Sequence, residues 1–525
     1  MSINSAAFLL FLAVAVALYY LTPKKWRYLV LLAARAFFYL SYSVKAALYL
    51  LSTIAATYGA AMALGAMRRA EQAAAEAEGA DIAAVRKLWQ KRRRLALAGI
   101  LTLNFATLAL FKYLDNWLGT VNSILSLAGA SFRFRPLELL LPLGISFYIF
   151  QTSGYLIDVY RGKVEPERCF LKYALFVSYF PQMVQGPINR FEKLRPQLIG
   201  GNDFSADQIK YGVQLMLWGM LKKLLIADTL APAVAEVFGN FTNYSGAVIL
   251  LAVALYCLQL YCDFSGGTDL VRGASQLFGV EMAENFRRPY FARSVDDFWR
   301  RWHISLGEWM KDYLFYPLAL SKPLNRLGKR LRAVLGPRPG RLVVPCISTV
   351  AVFLVVGVWQ GPGLGNIAYG LWNGGLMSLA MVAAPAAARI RERLRITDKT
   401  RWFHAFQVLR TFLVVVVGRY FSRAGGLTRA LRMLGRTLFH FGWGTLSPGM
   451  LFGFGLTPLS WTVVLASTAA LVAVSALQER GVRIRKALET RHWAIQFAAL
   501  FAGVLVVYVF LSGSYVPIGY VYENI

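Results

Sequence analysis

The chain has 525 residues, of which 57% are hydrophobic, and its mean hydropathy is +0.48. These values exceed what a soluble domain needs for its core, so the composition predicts a multipass membrane protein. The net charge of +30 does not indicate nucleic-acid binding, because the basic residues lie in loops between apolar runs rather than in one patch on a soluble domain.

Apolar runs recur along the chain, several of them long enough to cross the hydrocarbon of a bilayer. Others are short or broken by glycine and proline, which is typical of re-entrant segments. Together they predict about eleven to thirteen membrane-embedded helices. The first run has no basic segment before it and is predicted to be a retained helix rather than a signal peptide. The clearest runs are Ala6 to Leu21, Ala46 to Met67, Leu95 to Leu110, Val350 to Val358 and Ile495 to Leu511.

The basic loops predict the topology, since positively charged loops stay in the cytoplasm. Basic loops border both terminal helices, which places the N-terminus and the tail Tyr522 to Ile525 outside and requires an even number of full crossings. The loops are Lys24 to Arg27, Arg68 to Arg94, Lys322 to Arg341, Arg389 to Arg401 and Arg480 to Arg491.

Two of these loops carry a sequence pattern of their own. Residues 68–94 are rich in Ala, Glu, Lys and Arg and predict an interfacial or cytoplasmic helix pair. Residues 322–341 predict a basic amphipathic piece that lies against the bilayer and is ended by Pro337, Pro339 and Gly340. No soluble module is predicted, so residues 1–525 are expected to form one continuous membrane domain.

The segment Asp296 to Leu318 places charge and a histidine inside an otherwise lipid-soluble sequence. Ionisable groups at membrane depth usually face a water-filled cavity or each other. Arg300, Arg301 and His303, with Trp302 among them, are therefore predicted to line an internal polar cavity close to Gln360.

A second candidate lies in YFPQMVQGPINR, residues 179–190. Pro181 and the Gly-Pro pair that follows break a helix and leave backbone groups that need partners, which predicts a cavity wall. Gln182 and Gln185 can satisfy such groups. Arg190 has two interpretations: it binds an anionic donor group or headgroup, or it extends to the membrane interface.

In YCDFSGGTDL, Asp263 and Asp269 flank a predicted break at two adjacent glycines. We expect these carboxylates to pair with Arg300 or Arg301, and direct contact with substrate is the alternative. The four cysteines show neither CxxC spacing nor a histidine partner, so they are predicted to be small buried apolar residues and no metal site is expected. They are Cys169, Cys257, Cys262 and Cys346.

Five motifs follow one another through most of the chain. They are LPLGISFYIFQTSGYLIDVYRGK from Leu141, FVSYFPQMVQGPINRFEKLRPQL from Phe176, GMLKKLLIADTLA from Gly219, YCDFSGGTDLVRGASQLFG from Tyr261 and NFRRPYFARSVDDFWRRWHISL from Asn285. In this order they resemble the membrane-bound O-acyltransferases (MBOAT), in particular the bacterial branch of alginate O-acetylation and teichoic-acid D-alanylation proteins. The resemblance implies the all-α polytopic MBOAT fold across residues 1–525.

The resemblance also assigns candidate site residues. It implies that His303 lies beside the acyl-transfer site, where it orients the acceptor or the donor or helps to exchange a proton. Relatives usually carry the catalytic histidine where this chain has Gln360, and a glutamine amide cannot take up a proton at neutral pH. Loss of a positioned general base typically costs roughly 10²–10⁴ in rate. Trp359 and Asn373, the latter also at a position where histidine is common, are expected to help bind and align substrate.

The implied activity is transfer of an acetyl or similar short acyl group from a thioester to hydroxyls of a cell-surface or exported polysaccharide. The implied donor is acetyl-CoA or an acyl-carrier protein on the cytoplasmic side of the bacterial cell membrane. Membrane lipid surrounds the protein, no cofactor stays bound, and an extracytoplasmic acetyltransferase partner completes the transfer.

Two other functions stay open at this point. Gln360 favours a catalytically silent member that keeps the fold and serves as a scaffold or acyl-channel component. A transporter without acyl chemistry fits the polytopic composition but not the ordered motifs, and binding of a radiolabelled acyl donor would separate it from an acyltransferase.

Overall fold

The computed structural model describes residues 3–397, 400–445, 447, 449, 454–512 and 518–520, and these residues form helices and connecting loops without a β-strand. This confirms the predicted all-α polytopic fold. The tail Tyr522 to Ile525, predicted to lie outside the cell, is not among the described residues. The helices are α1 (Ala6–Leu21), α2 (Arg27–Leu40), α3 (Val44–Glu76), α4 (Ile82–Leu127), α5 (Ile145–Arg161), α6 (Phe170–Ser178), α7 (Phe180–Gln185), α8 (Phe191–Ile199), α9 (Ala206–Leu221), α10 (Thr229–Gly239), α11 (Gly246–Gln276), α12 (Val295–Arg301), α13 (Ile304–Met310), α14 (Tyr316–Ala319), α15 (Lys322–Leu335), α16 (Pro337–Gln360), α17 (Leu364–Arg393), α18 (Arg401–Arg423), α19 (Leu427–Phe439), α20 (Pro458–Glu479), α21 (Ile484–Glu489) and α22 (Trp493–Ser512).

Within the described part of the chain, eight helices are long and apolar enough to cross a membrane. They are α3, α4, α11, α16, α17, α18, α20 and α22. Helix α1 is apolar but has only 16 residues. The chain is therefore a multi-pass membrane protein. The predicted eleven to thirteen membrane-embedded helices also include short and re-entrant helices, which do not belong to these eight.

The chain divides into two compact units. Unit 1 comprises the described residues up to Met216 together with Thr268–Ala283, and unit 2 comprises Leu217–Gly267 together with the described residues from Glu284 onward. The expectation of one continuous domain over residues 1–525 stays a prediction.

In unit 1 the polar connector 68–94 continues the helices on either side of it. Helix α3 runs on to Glu76, and α4 begins after Asp81, whose carboxylate accepts hydrogen bonds from the amides of Ala83 and Ala84. Such capping satisfies amides that have no partner within the helix. Arg93 and Glu71 form an ion pair at 2.7 Å between the two helices. The segment is therefore helical as expected, and its interfacial or cytoplasmic location stays a prediction.

The predicted break in residues 179–190 is also confirmed. Helix α6 ends at Ser178, α7 is a single short helix, and residues 186–190 are not helical. The buried amide of Gln182 uses both its polar atoms: it donates to Gln151 Oε1 and accepts from Asn189 Nδ2 at 2.9 Å. Neighbouring side chains therefore satisfy this glutamine where the backbone leaves the helix.

Gly144 lies where the backbone of unit 1 tolerates no side chain. It precedes α5 with φ +73, in the left-handed region, and a Cβ there would lie 2.2 Å from the carbonyl oxygen of Met183. The glycine of the LPLGISF motif thus lets the start of α5 approach α7.

Helix α11 is continuous, so the predicted break at its paired glycines is wrong. A Cβ on Gly266 would lie 2.7 Å from the carbonyl oxygen of Gly219 in unit 2. Gly266 therefore allows two helical segments to pack closely, as is common between membrane helices, and does not break α11.

A buried charge cluster follows α9. Residues Lys222–Asp228 form a π-helical segment, and Lys223 Nζ lies 2.8 Å from Asp228 Oδ1 and 2.7 Å from Asp263 Oδ1. The lysine side chain is 1% exposed, and its ammonium lies 4.3 Å from the centre of the Tyr520 ring. Two carboxylates and an aromatic face thus replace the water that this cation loses on burial.

The first part of the basic amphipathic piece predicted in residues 322–341 forms helix α15, and its position against the bilayer stays a prediction. The predicted end of this piece is wrong, because α15 already ends at Leu335, and Pro337, Pro339 and Gly340 lie at the beginning of α16. Proline fits there since the first amides of a helix have no carbonyl partner within it.

We predict that Gly144→Ala lowers the thermal unfolding midpoint of the purified protein more than Gly129→Ala does. Both glycines have positive φ, but only Gly144 has backbone atoms in the way of a Cβ. Left-handed strain of ~1–2 kcal/mol applies to both variants, and overpacking adds ~1–3 kcal/mol at Gly144 alone. Equal midpoints by fluorescence-detected size-exclusion would contradict the close contact.

We also predict that Lys223→Met destabilises the protein by ~3–5 kcal/mol, because it leaves two buried carboxylates without their cation. Lys210→Met is the matched control, since Lys210 pairs with Asp207 at the surface and such pairs contribute ~1 kcal/mol or less. Thermal midpoints in detergent should fall for the first variant and stay near the parent for the second. A similar midpoint for both would show that the buried cluster does not stabilise the fold.

Candidate functional site

In unit 2 a short antiparallel bridge holds the segment that carries His303. Phe286 pairs with Trp302, the Arg287 amide donates to the Arg301 carbonyl at 2.9 Å, and the Ile304 amide donates to the Asn285 carbonyl at 3.0 Å. His303 lies between α12 and α13 with φ +49, a left-handed conformation that is uncommon outside glycine. Backbone contacts on both sides stabilise this corner.

The imidazole of His303 is 2% exposed. Its Nδ1 lies 3.2 Å from Asn285 Oδ1, and the Phe264 ring stands edge-on to it at a centroid distance of 4.8 Å. Burial lowers the pKa of His303 to about 3, so the ring is neutral at pH 7.

The ring of Trp359, near the end of α16, lies 6.1 Å from the imidazole between centroids. Gln360, the last residue of α16, is half-buried and follows Trp359 directly. His303 thus lies beside Trp359, the residue that precedes Gln360, and a site shared by His303 and Gln360 stays a prediction.

Asn373, in α17, contacts the helix that leads into the His303 corner. Its Oδ1 accepts a hydrogen bond from Trp299 Nε1 at 3.1 Å, and its Nδ2 donates to the Tyr369 carbonyl at 2.8 Å. Trp299 belongs to α12, immediately before the His303 corner. Asn373 therefore fixes an indole of the site segment.

Trp302 is 1% exposed and packs against aromatic rings, among them Phe286 and Phe298. The guanidinium of Arg419, from α18, lies 5.0 Å from the centre of its indole. Arg419 is itself 1% exposed and donates to the Tyr369 hydroxyl at 3.2 Å. The buried guanidinium of Arg419 thus lies against the indole of Trp302, the residue that precedes His303.

Arg300 does not line an internal cavity as predicted, and the cavity position of Arg301 stays a prediction. The Arg300 side chain is 71% exposed and pairs with Asp296 one helical turn away. Arg301 is largely buried, but it pairs with Asp297 at 2.9 Å and with Glu479 of α20 at 3.0 Å. Four-residue spacing within α12 favours these local pairs and turns both cations towards its acidic first turn.

The predicted pairing of Asp263 and Asp269 with these arginines is wrong as well. Asp263 binds Lys223, as described above, and Asp269 lies 3.4 Å from Arg272 in unit 1. In each case a cation closer along the helix, or on a helix packed against it, neutralises the carboxylate.

Gln185 and Arg190 belong to unit 1. The Gln185 side chain is fully buried at the end of α7, and neither of its amide atoms has a hydrogen-bond partner among the described residues. Arg190 is half-buried and directly precedes α8. Their roles in binding stay predictions.

Sequence reasoning missed two residues of the His303 region. Asn285 begins the NFRRPY motif, yet the motif alone did not show that its side chain faces His303. Arg419 stands in VVVVGRYF, where a cation within an apolar run is itself an indication of function. A neutral buried imidazole, two tryptophans and amide groups can align polar substrates in a site that excludes water.

The family model described as "MBOAT, membrane-bound O-acyltransferase family" matches residues 169–336, which include His303 and Asn285. The probable alginate O-acetylase of Pseudomonas putida is 34% identical over 446 residues, covering 84% of this chain and 81% of that protein.

Two further relatives are named for peptidoglycan and for teichoic acid. The peptidoglycan O-acetyltransferase of Helicobacter pylori is 30% identical over 440 residues, covering 79% of this chain and 73% of that protein. The teichoic acid D-alanyltransferase of Bacillus subtilis is 26% identical over 296 residues, covering 54% and 69% respectively. With its helical membrane fold and a buried histidine in the RRWHISL motif, the chain belongs to the membrane-bound O-acyltransferase family.

Proposed function

We propose that this acyltransferase moves an acetyl or similar short acyl group from a thioester to hydroxyls of a cell-surface or exported polysaccharide. The observation that carries the proposal is the buried, neutral imidazole of His303 packed on Trp359, next to Gln360. The names of the relatives, alginate O-acetylase and peptidoglycan O-acetyltransferase, support a short acyl group and a polysaccharide acceptor.

The chemistry demands little beyond alignment. A thioester is already activated, so the protein must hold the acceptor oxygen near the carbonyl, supply hydrogen-bond donors to the developing oxyanion, and remove the hydroxyl proton. His303 fits the first of these tasks through its fixed ring, and Trp359 supplies an apolar wall. Gln360 can bind but cannot accept the proton.

The donor is proposed to be acetyl-CoA or an acyl-carrier thioester reaching the site from the cytoplasmic side of the bacterial cell membrane. The acceptor side faces outward, where an extracytoplasmic acetyltransferase partner completes the transfer to the glycan. The basic loops support this orientation, since loops with many lysines and arginines remain cytoplasmic.

A second function has one observation in its favour. Gln360 stands where a general base is expected, so a silent MBOAT-fold scaffold or acyl-channel component would keep the aromatic and amide framework without turnover. The hydrogen bond that Trp299 Nε1 donates to Asn373 Oδ1 fits that function equally well.

We predict that Gln360→His raises acyl transfer by roughly 10²–10⁴-fold, because it restores a positioned general base. Transfer of labelled acetyl to cell-surface polysaccharide would be measured in a strain that lacks the endogenous enzyme and contains the partner protein, with protein levels matched by immunoblot. If the Gln360 form is already as active as the histidine form, the base lies elsewhere. Inactivity of both forms would favour the scaffold.

We further predict that His303→Asn, made in the Gln360→His background, lowers transfer by at least ~10²-fold, since His303 and position 360 share one site. Asparagine is chosen because it tolerates the left-handed backbone at this position better than alanine does. His404→Asn is the control, as this histidine is only half-buried and lies in α18 beside Arg293. Equal loss in both variants would remove His303 from the site.

A further inference from the structure

One oxygen atom organises the His303 corner. Asn285 Oδ1 lies 3.1 Å from the amide nitrogen of Ser305, 2.9 Å from Ser305 Oγ and 3.2 Å from His303 Nδ1. Asn285 is fully buried, as is the histidine. The three contacts converge on a single acceptor, and this fixes more than the position of the ring.

The orientation of the Asn285 amide follows from the Ser305 backbone. A backbone N–H can only donate, so the amide atom that faces it must be the oxygen. With the oxygen so placed, Nδ2 has no hydrogen-bond partner among the described residues. Leaving a buried donor unmet costs ~1–3 kcal/mol. Turning the amide over would bring an NH₂ group against the Ser305 N–H, so the observed orientation is the favourable one.

The protonation of His303 follows in turn. A neutral imidazole has one N–H and one acceptor nitrogen, and the partner of one nitrogen decides which is which. Because Oδ1 accepts only, Nδ1 must carry the hydrogen, and Nε2 carries the lone pair. The rings of Phe264 and Trp359, at 4.8 Å and 6.1 Å, restrict rotation of the imidazole.

We propose that Asn285 is a positioning residue that holds His303 in the Nδ1–H tautomer, so that Nε2 can only accept a hydrogen bond and therefore orients the acceptor hydroxyl rather than the thioester carbonyl. A carbonyl oxygen has no hydrogen to give to Nε2, whereas a hydroxyl has one. The proposal rests on the proposed acyl transfer for the identity of the bound group. The tautomer itself is a property of the resting protein.

The tautomer can be observed directly because the chain has only four histidines. The other three are not buried: His404, His440 and His492. The combined His404→Gln, His440→Gln and His492→Gln protein, labelled with ¹⁵N-histidine and reconstituted in lipid bilayers, would give the Nδ1 and Nε2 resonances of His303 alone in magic-angle-spinning NMR. We expect a protonated Nδ1 and an unprotonated Nε2 at pH 7.

Variants at Asn285 test the cause. Asn285→Leu removes the acceptor with little change in shape, and we expect Nδ1 to lose its hydrogen in a substantial fraction of molecules and transfer in the Gln360→His background to fall at least tenfold through kcat. Asn285→Asp keeps an oxygen in place and should keep Nδ1 protonated. Ser305→Ala, which removes only the Oγ donor and leaves the backbone N–H, is the matched control and should leave the spectrum unchanged.

An unprotonated Nδ1 in the parent would overturn the proposal, as would an Asn285→Leu spectrum identical to the parent. If Asn285→Leu does not accumulate, the parent and Asn285→Asp spectra decide the matter, since both must show a protonated Nδ1. Failure of acyl transfer in every variant would instead refute the proposed function. The two failures are distinguishable because the spectrum requires no turnover.

Discussion

Within an apolar interior, a polar group without a partner costs free energy, and this constraint shapes the clusters around Lys223, Gln182 and His303. Lys223 is held by two carboxylates and an aromatic ring, Gln182 by two amides, and His303 by Asn285. The cost of an unmet group fixes the geometry of these clusters more tightly than apolar packing alone does. A site of this kind has its donors and acceptors oriented before substrate arrives.

The elements that follow local physical rules could be predicted from sequence. The apolar runs predicted spanning helices. The prolines and glycine of residues 179–190 predicted the break around α7, and the Ala, Glu, Lys and Arg of residues 68–94 predicted helical structure there. His303 was identified because an ionisable group among tryptophans is costly without a function. Ordered motifs then pointed to the family.

The predictions that failed concern contacts between residues that are distant in the sequence. A Gly-Gly pair is compatible with a break or with close helix packing, and only the carbonyl of Gly219 against Gly266 decides for packing. Asp263 has one basic residue on its own helix, Arg272, yet tertiary structure pairs it with Lys223 of the segment that follows α9. Arg300 looked like a site residue because it lies three positions before His303, yet α12 ends at Arg301 and the backbone of His303 is left-handed, so the two side chains do not share a helix face.

Glu479, at the end of α20, binds Arg288 at 2.6 Å and Arg301 at 3.0 Å, and these arginines lie on the two paired segments that carry Asn285 and His303. The family model ends at residue 336 and therefore does not include Glu479, the carboxylate that joins these two arginines. A chain truncated after α19 would retain all five family motifs but would lose the ion pairs of Glu479 with Arg288 and Arg301. Positions 288, 301 and 479 should consequently change together during evolution, because losing any one charge leaves the others unbalanced.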